Sequence, residues 1–181
     1  ILHFSSWPLS QHKSRETMEK VLEEGRKNNI LIGFDPNYHP MIWEKDHDGI
    51  EYIKNIIKKV DIIKPSEVDA ERLFGEDSPE NQVKKFVDLG AKLVIMTLGK
   101  DGAIVTNGKE TLKFETLAKE IVDTTGAGDA FMGAVIAQII NKPDKDIVEI
   151  VKLANLVGGI TTTKIGALES IPTWEEVEKY K

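Results

Sequence analysis

Short apolar runs recur along the chain between stretches of helical periodicity. They lie near residues 1–5, 30–34 (Ile30-Leu31-Ile32-Gly33-Phe34), 60–63 and 92–96 (Lys92-Leu93-Val94-Ile95-Met96). Continuous apolar runs of this length, set between helices, predict buried parallel strands, because a strand covered on both faces carries no polar alternation. Met18, Val21 and Leu22 mark the apolar stripe of a Glu/Lys-rich helix around residues 15–28, and Ile147, Ile150, Val151, Ala154 and Val157 mark a second amphipathic helix. The stretch from about Ala127 to Asn141 is apolar nearly all round, which predicts a buried helix. A last helix, from about Thr173, follows Pro172 and opens on a Thr173–Glu176 capping box. One segment differs: Asn107-Gly108 separates a run from Gly102 from a second run over Glu110 to Phe114, a hairpin signal. The sum is a layered α/β domain, a mostly parallel sheet with a late antiparallel hairpin and helices on both sheet faces. No repeat, low-complexity segment or linker divides it, so residues 1–181 are expected to form one domain.

Composition narrows the function more than the fold. With 181 residues, 40% of them hydrophobic, the chain can bury one full-sized core. A balance of 24 basic to 30 acidic residues, net −6, argues against a general nucleic-acid binder, since no excess cation is available to displace counterions from phosphates. No stretch approaches the roughly 18 uninterrupted apolar residues of a membrane span, so no membrane partner is expected. The absence of cysteine excludes disulfide and thiolate chemistry and fits a reducing, cytoplasmic compartment. The chain opens Ile1-Leu2-His3-Phe4, without an initiator Met or a signal peptide, as if within a core strand.

The residues with the most chemistry are Asp123-Thr-Thr-Gly-Ala-Gly-Asp129, directly before the apolar helix. A Gly-Ala-Gly turn opening a helix leaves the N–H groups of Gly126, Ala127 and Gly128 pointing outward. With the positive end of the helix dipole they form an anion site that no side chain blocks. A carboxylate at the end of that loop would repel a phosphate. Asp129 makes sense when it faces a hydroxyl that attacks a phosphoryl group and takes up the hydroxyl proton while the amides stabilise the transferring oxygens. For Gly-x-Gly alone, a tightly packed helix start explains as much; the seven-residue string is far more specific.

Asp123-Thr-Thr-Gly-Ala-Gly-Asp-Ala-Phe131 resembles the C-terminal signature of the ribokinase-like, PfkB-type carbohydrate kinases, and four further segments match in family order. The resemblance implies a ribokinase-like three-layer α/β/α sandwich and transfer of the γ-phosphoryl of ATP to a hydroxyl of a sugar or sugar acid. Asp129 would be the catalytic base and Gly126, Ala127 and Gly128 the anion hole. Thr97-Leu-Gly-Lys-Asp-Gly102 is similar to the family's nucleotide-binding turn, which makes Thr97, Gly99, Lys100 and Gly102 nucleotide contacts; by its residues alone it is a strand-end turn leading into the hairpin. Lys64-Pro-Ser-Glu67 reads locally as a helix cap, Ser66 with Asp69. By resemblance Glu67 helps organise Mg²⁺ through water. Lys64 replaces the family's Asn, a departure shared with some fructokinase-like members, and a lysine there is expected to meet nucleotide phosphate as a point charge.

Asp35-Pro-Asn-Tyr-His39 resembles the Asp-x-Asn-x-Arg motif of fructokinase-like and ketodeoxygluconate-kinase-like members, so Asp35 and Asn37 become substrate contacts at a strand end, where open α/β sheets place ligands. The family's Arg is His39 here, which lacks the bidentate fork and puts that contact in doubt. By the same resemblance Asn155 lies beside the adenine. Asp123, Thr125, Thr161, Lys164, Gly166 and Ser170 occupy the place of the family's monovalent-cation site, whose oxygen ligands suit K⁺ and which some members lack.

Three features are set aside on their residues. Asp46-His47-Asp48 has metal-ligand spacing but lies in a polar loop without a third partner. His3 and His12 are isolated. Trp7 and Trp43 are of a type that touches sugar faces, with packing as the default for both. The resemblance also implies a C-terminal part of longer chains, holding the nucleotide and catalytic half, without the N-terminal strands and the β-sheet lid through which family dimers form; a chain of that kind would be inactive alone. The alternatives are a nucleotide-binding module without turnover, a scaffold that has kept the motifs, and a vitamin or pyrimidine kinase of the same superfamily.

Overall fold

A computed structural model describes residues 1–43, 49–116 and 121–180. Asp46, His47 and Asp48 lie outside the described residues. The chain forms two compact units, one of residues 1–98 and 104–112, the other of residues 99–103 and 113–181.

The first unit is built on β1 (Leu2–Ser5), β2 (Ile32–Asp35), β3 (Ile62–Ile63) and β4 (Leu93–Thr97), which pair in parallel in chain order. All four expected apolar runs are strands. β2 is buried at every position, as a strand covered on both faces must be. β3 is cut to two residues because Pro65 follows Lys64 and offers no N–H to continue the ladder. Its carbonyl still accepts Thr97 N–H at 3.0 Å, in an isolated Ser66–Thr97 bridge.

The crossover helices α1 (His12–Lys27), α2 (Gly49–Ile57), α3 (Glu67–Phe74) and α4 (Pro79–Asp88) complete this unit. α1 buries Leu22 and Gly25, with Met18 packed against the same core, while Val21 is exposed. The stripe therefore runs 18, 22, 25, the i, i+4, i+7 spacing of a single helix face. α2 and α4 carry legible patterns of their own. Ile53, Ile56 and Ile57 are all buried, and Ser78 caps α4 ahead of Pro79 with Val83 and Phe86 buried beneath. Phe4 and Phe34 stack at 5.0 Å, and Phe74 meets Phe86 edge-on at 4.9 Å.

The hairpin is formed by β5 (Ala103–Thr106) and β6 (Thr111–Phe114), which extend the sheet in the order β1 to β6 with antiparallel pairing beyond β4. This is the mostly parallel sheet with a late hairpin that the sequence predicts. The turn is longer than the Asn-Gly pair suggests. Asn107 Oδ1 accepts the N–H groups of both Lys109 and Glu110, and Thr106 Oγ donates to the Glu110 carbonyl at 2.8 Å. Glu110 is thus spent on the turn, and the second strand starts at Thr111.

In the second unit α5 (Ala127–Asn141) packs on α6 (Ile147–Thr161), followed by the short α7 (Trp174–Glu178). The close approach rests on Gly158, where a Cβ would meet the Ala127 carbonyl at 3.3 Å and Phe131 Cβ at 3.4 Å. Burial departs from the sequence pattern here. α5, expected to be buried all round, buries Ala130, Phe131, Met132 and Val135 but leaves Gly133, Ala137 and Ile140 exposed. α6, expected to be amphipathic, is buried at ten positions, including Leu153, Leu156 and Asn155. Hydrophobicity states what a helix can bury; the partners on each side decide what it does bury. No helix among the described residues is long and apolar enough to cross a membrane.

Candidate active site

The residues singled out by sequence fall in both units. In the first unit they gather at the C-terminal ends of β2, β3 and β4. Asp35 ends β2 and Lys64 follows β3; their side chains form an ion pair at 2.9 Å, 4% exposed on the lysine and 11% on the aspartate. Asn37, exposed two residues on, has a left-handed φ of +35°, which Asn tolerates better than most residues. The turn is braced from three directions. Asp69 Oδ1 accepts Tyr38 N–H at 2.7 Å, Arg72 donates to the Tyr38 carbonyl at 2.5 Å, and Ser6 Oγ donates to the Asn37 carbonyl at 3.3 Å.

The same Asp69 closes the capping box of α3, its other oxygen accepting from Ser66 N–H and Oγ. The cap expected from Ser66 and Asp69 is present, and its carboxylate does a second task that sequence reasoning missed. Arg72 was missed as well. The available signal was its i+3 spacing from Asp69 on one face of α3. Glu67 is exposed on the first turn of α3 and Thr97 is half-buried at the end of β4. His39 Nδ1 accepts Met41 N–H at 3.3 Å, capping a 3-10 turn over Pro40–Ile42, so the ring is tied into its own loop. The two tryptophans separate: Trp43 is 8% exposed in the core beside Tyr38 and Tyr52, whereas Trp7 is 56% exposed.

In the second unit Gly126 caps α5 with φ +77°, where an added Cβ would lie 3.2 to 3.3 Å from Ala167. Both the left-handed backbone and the close approach require glycine. Ala127 N–H donates to the Thr124 carbonyl at 3.2 Å, and Ala130 N–H to that of Gly126 at 2.8 Å. The N–H groups of Gly126, Gly128 and Asp129 have no backbone partner among the described residues, as the first turn of a helix dictates. The Asp129 side chain is exposed and makes no hydrogen bond or ion pair among the described residues.

Asp123 is fully employed. Oδ1 accepts Thr125 N–H at 2.9 Å and Thr125 Oγ at 2.6 Å, and Oδ2 accepts Gly166 N–H at 3.0 Å. The Thr125 hydroxyl and the two N–H donors hold its carboxyl down to about 2, from the usual 3.8. Of the six expected cation-site residues, this joins Asp123, Thr125 and Gly166, with Ser170 close by through its bond to the Ala167 carbonyl at 3.0 Å. Thr161 is buried with its hydroxyl on the Val157 carbonyl, and the Lys164 ammonium pairs with Glu176 at 2.6 Å, leaving main-chain oxygens as the ligands these two can offer. No cluster of three His, Asp or Glu side chains suited to a metal ion occurs among the described residues.

A depressed carboxyl stabilises the folded state above its unfolded value, and that contribution is lost as pH falls from about 4 through about 2. The Gly166 amide resonance is therefore expected to titrate near pH 2. A Gly166 amide resonance that does not move as the carboxyl titrates would refute the Asp123–Gly166 contact, and a midpoint at the usual carboxylate value would refute the depression.

Gly102, at φ +92°, lies against the peptide units of Phe114 to Thr116, whereas Gly99, at φ +56°, and Lys100 are exposed. A cleft of about 780 Å³ opens along α6, with Lys113, Phe114, Glu115, Lys152, Asn155 and Trp174 among its walls. Asn155 is 8% exposed there and its Nδ2 donates to the Glu115 carbonyl at 2.5 Å.

Comparison with known proteins gives the family. Residues 1–174 match the pfkB family carbohydrate kinase profile, and the chain belongs to that family. It is 54% identical over 178 residues to an ATP-dependent 6-phosphofructokinase of Thermoanaerobacterium thermosaccharolyticum, covering 98% of this chain and 55% of that protein. It is 36% identical over 183 residues to fructokinase-1 of Zea mays, covering 98% and 57%. A fructokinase double mutant from Vibrio cholerae O395, solved in its fructose-, ADP- and potassium-bound form, superposes with a TM-score of 0.92 at 27% identity, covering 99% of this chain and 59% of that one. The fold is that of the ribokinase-like kinases. The chain spans a little over half the length of these relatives.

Proposed function

We propose that the chain carries the nucleotide-binding and catalytic half of a sugar kinase that moves the γ-phosphoryl of ATP to a sugar hydroxyl. The observation that carries this reading is Asp129: an exposed carboxylate without a partner among the described residues, one turn into a helix whose left-handed glycine cap leaves adjacent N–H groups open. Asp129 accepts the acceptor hydroxyl's proton as its oxygen bonds to the γ-phosphorus and the bond to the ADP oxygen breaks. The amides of Gly126 and Gly128 stabilise the transferring oxygens, with Ala127 contributing once its long contact to Thr124 is released. Thr97, Gly99, Lys100 and Gly102 form the nucleotide turn, and the cleft holding Asn155 takes the base. Mg²⁺, bound with the nucleotide, supplies charge neutralisation at its phosphates; Glu67, exposed at a helix start, fits a hold on it through water. The Asp123 carboxylate and the Thr125 hydroxyl beside it are hard oxygen donors of the kind that suits a monovalent cation such as the potassium of the Vibrio cholerae structure.

Asp35 and Asn37 bind the sugar. Identity of 54% to a 6-phosphofructokinase, against 36% to a fructokinase, favours fructose 6-phosphate over fructose. The test is incubation with ATP, Mg²⁺ and fructose 6-phosphate, fructose, ribose or a sugar acid, following ADP and the phosphorylated product, with ADP binding measured separately. Turnover on fructose 6-phosphate supports the reading and turnover on a sugar acid alone corrects the substrate. Binding without turnover in the full-length protein leaves a nucleotide-binding module, and neither leaves a scaffold.

A further inference from the structure

Asp35 and Lys64 form a buried ion pair, and the catalytic reading gives its lysine no task. Phe34↔Ile63 is the last rung of the β2–β3 ladder and Lys64 N–H donates to the Phe34 carbonyl at 2.9 Å, so Asp35 and Lys64 are the next residues out on adjacent strands. Stability alone does not account for such a pair. Taking both charges out of water costs about as much as their attraction returns, and two apolar residues of similar size would hold the strands at least as well. What the pair does fix is the origin of the Pro36-Asn37-Tyr38 turn. Beyond it the turn is held by Asp69, Arg72 and Ser6, and it begins at Asp35, whose carboxylate lies against the Lys64 ammonium.

We propose that Lys64 is a positioning residue of the sugar-binding loop, holding the Asp35 carboxylate so that Asp35 and Asn37 meet sugar hydroxyls in a preset geometry, and that it does not contact nucleotide phosphate. This rests on the sugar-kinase reading above and departs from the point-charge contact with nucleotide phosphate expected of a lysine at this place. The physical ground is that its ammonium is 4% exposed and already neutralised by Asp35, so the pair presents little net charge to a phosphate. Holding a loop in its bound form lowers the ordering cost of binding.

The test uses Lys64→Gln and Lys64→Arg in the full-length protein. For Lys64→Gln, KM for the sugar is expected to rise about tenfold or more, the equivalent of about 1.4 kcal/mol. KM for ATP and the ADP affinity by calorimetry are expected to stay within about twofold. Lys64→Arg, which keeps the charge, is expected to recover part of the sugar affinity. A fall in ADP affinity in Lys64→Gln assigns Lys64 to the phosphates and overturns the proposal. Unchanged sugar and nucleotide constants in a folded variant overturn it too, leaving a structural pair. Should Lys64→Gln fail to fold, the Asp35→Asn/Lys64→Gln double variant buries no charge; undiminished ADP affinity there supports the proposal and a loss defeats it. A wild-type protein that binds ADP but turns over no sugar defeats the kinase reading, while the ADP comparison still decides whether Lys64 serves the phosphates.

Discussion

Asp129→Asn in the full-length protein is expected to lower kcat by about a thousandfold, within the range that a positioned general base supplies. ADP affinity and thermal stability should stay close to wild type. Asn keeps the shape of the side chain, and Asp129 makes no hydrogen bond or ion pair among the described residues, so the fold loses no contact there. What it does lose is a carboxylate in the first turn of α5, a favourable interaction with the helix dipole of about 0.3–1 kcal/mol. The two roles therefore separate cleanly in measurement. A carboxylate that serves only the dipole would leave turnover untouched. Steady-state ADP release, with calorimetry for ADP and a thermal melt, decides between them; turnover retained near the wild-type level would sink the assignment of Asp129 as base.

Gly102→Ala is expected to have the largest effect on stability. At φ +92° an L side chain is strained, and here the added Cβ falls on the Phe114 carbonyl oxygen and within 2.8 Å of Glu115 C and Thr116 N. These are backbone atoms, which cannot swing aside as the tip of a flexible side chain can. The backbone strain and the overpacking together are expected to cost about 3 kcal/mol or more, lowering Tm by roughly 6–12 °C for a protein of this size. Gly99→Ala is the internal control. Its φ is +56° and nothing lies within 4 Å of the added Cβ, so it carries only the left-handed penalty of about 1–2 kcal/mol. Equal melting temperatures for the two variants would mean that the approach of residues 114–116 to Gly102 is wrong. A deficit in ADP affinity for Gly99→Ala out of proportion to its stability would in turn support the nucleotide turn.

Elements whose signals are local were legible in the chain. The two capping boxes, Ser66 with Asp69 and Thr173 with Glu176, form as their spacing requires, because a cap closes within four residues. The four apolar runs are strands for a similar reason: a run that suits burial on both faces has few alternatives. α2 and α4 went unread although Ile53, Ile56 and Ile57, and Ser78-Pro79 with Val83 and Phe86, carried the pattern. The burial of α5 and α6 was a different kind of miss. No arithmetic on either helix states which side finds a partner, and Gly158, by letting α6 close onto α5, fixes which faces meet.

The candidate site divides along the same line. Sequence by itself determined the glycine-capped helix start at Asp123 to Asp129 and the strand-end position of Asp35 and Asn37, because each depends on residues adjacent in the chain, and the order of the matching segments determined the family. Tertiary structure alone decided that Lys64 pairs with Asp35, that Asp69 and Arg72 hold the turn after β2, and that Asp123 spends both oxygens on Thr125 and Gly166. A buried charge or a strained turn must be satisfied by whichever group the fold brings within hydrogen-bond reach. Those groups come from the next strand or a distant loop, so their identity is set by strand order and helix packing, and no window along the chain contains it.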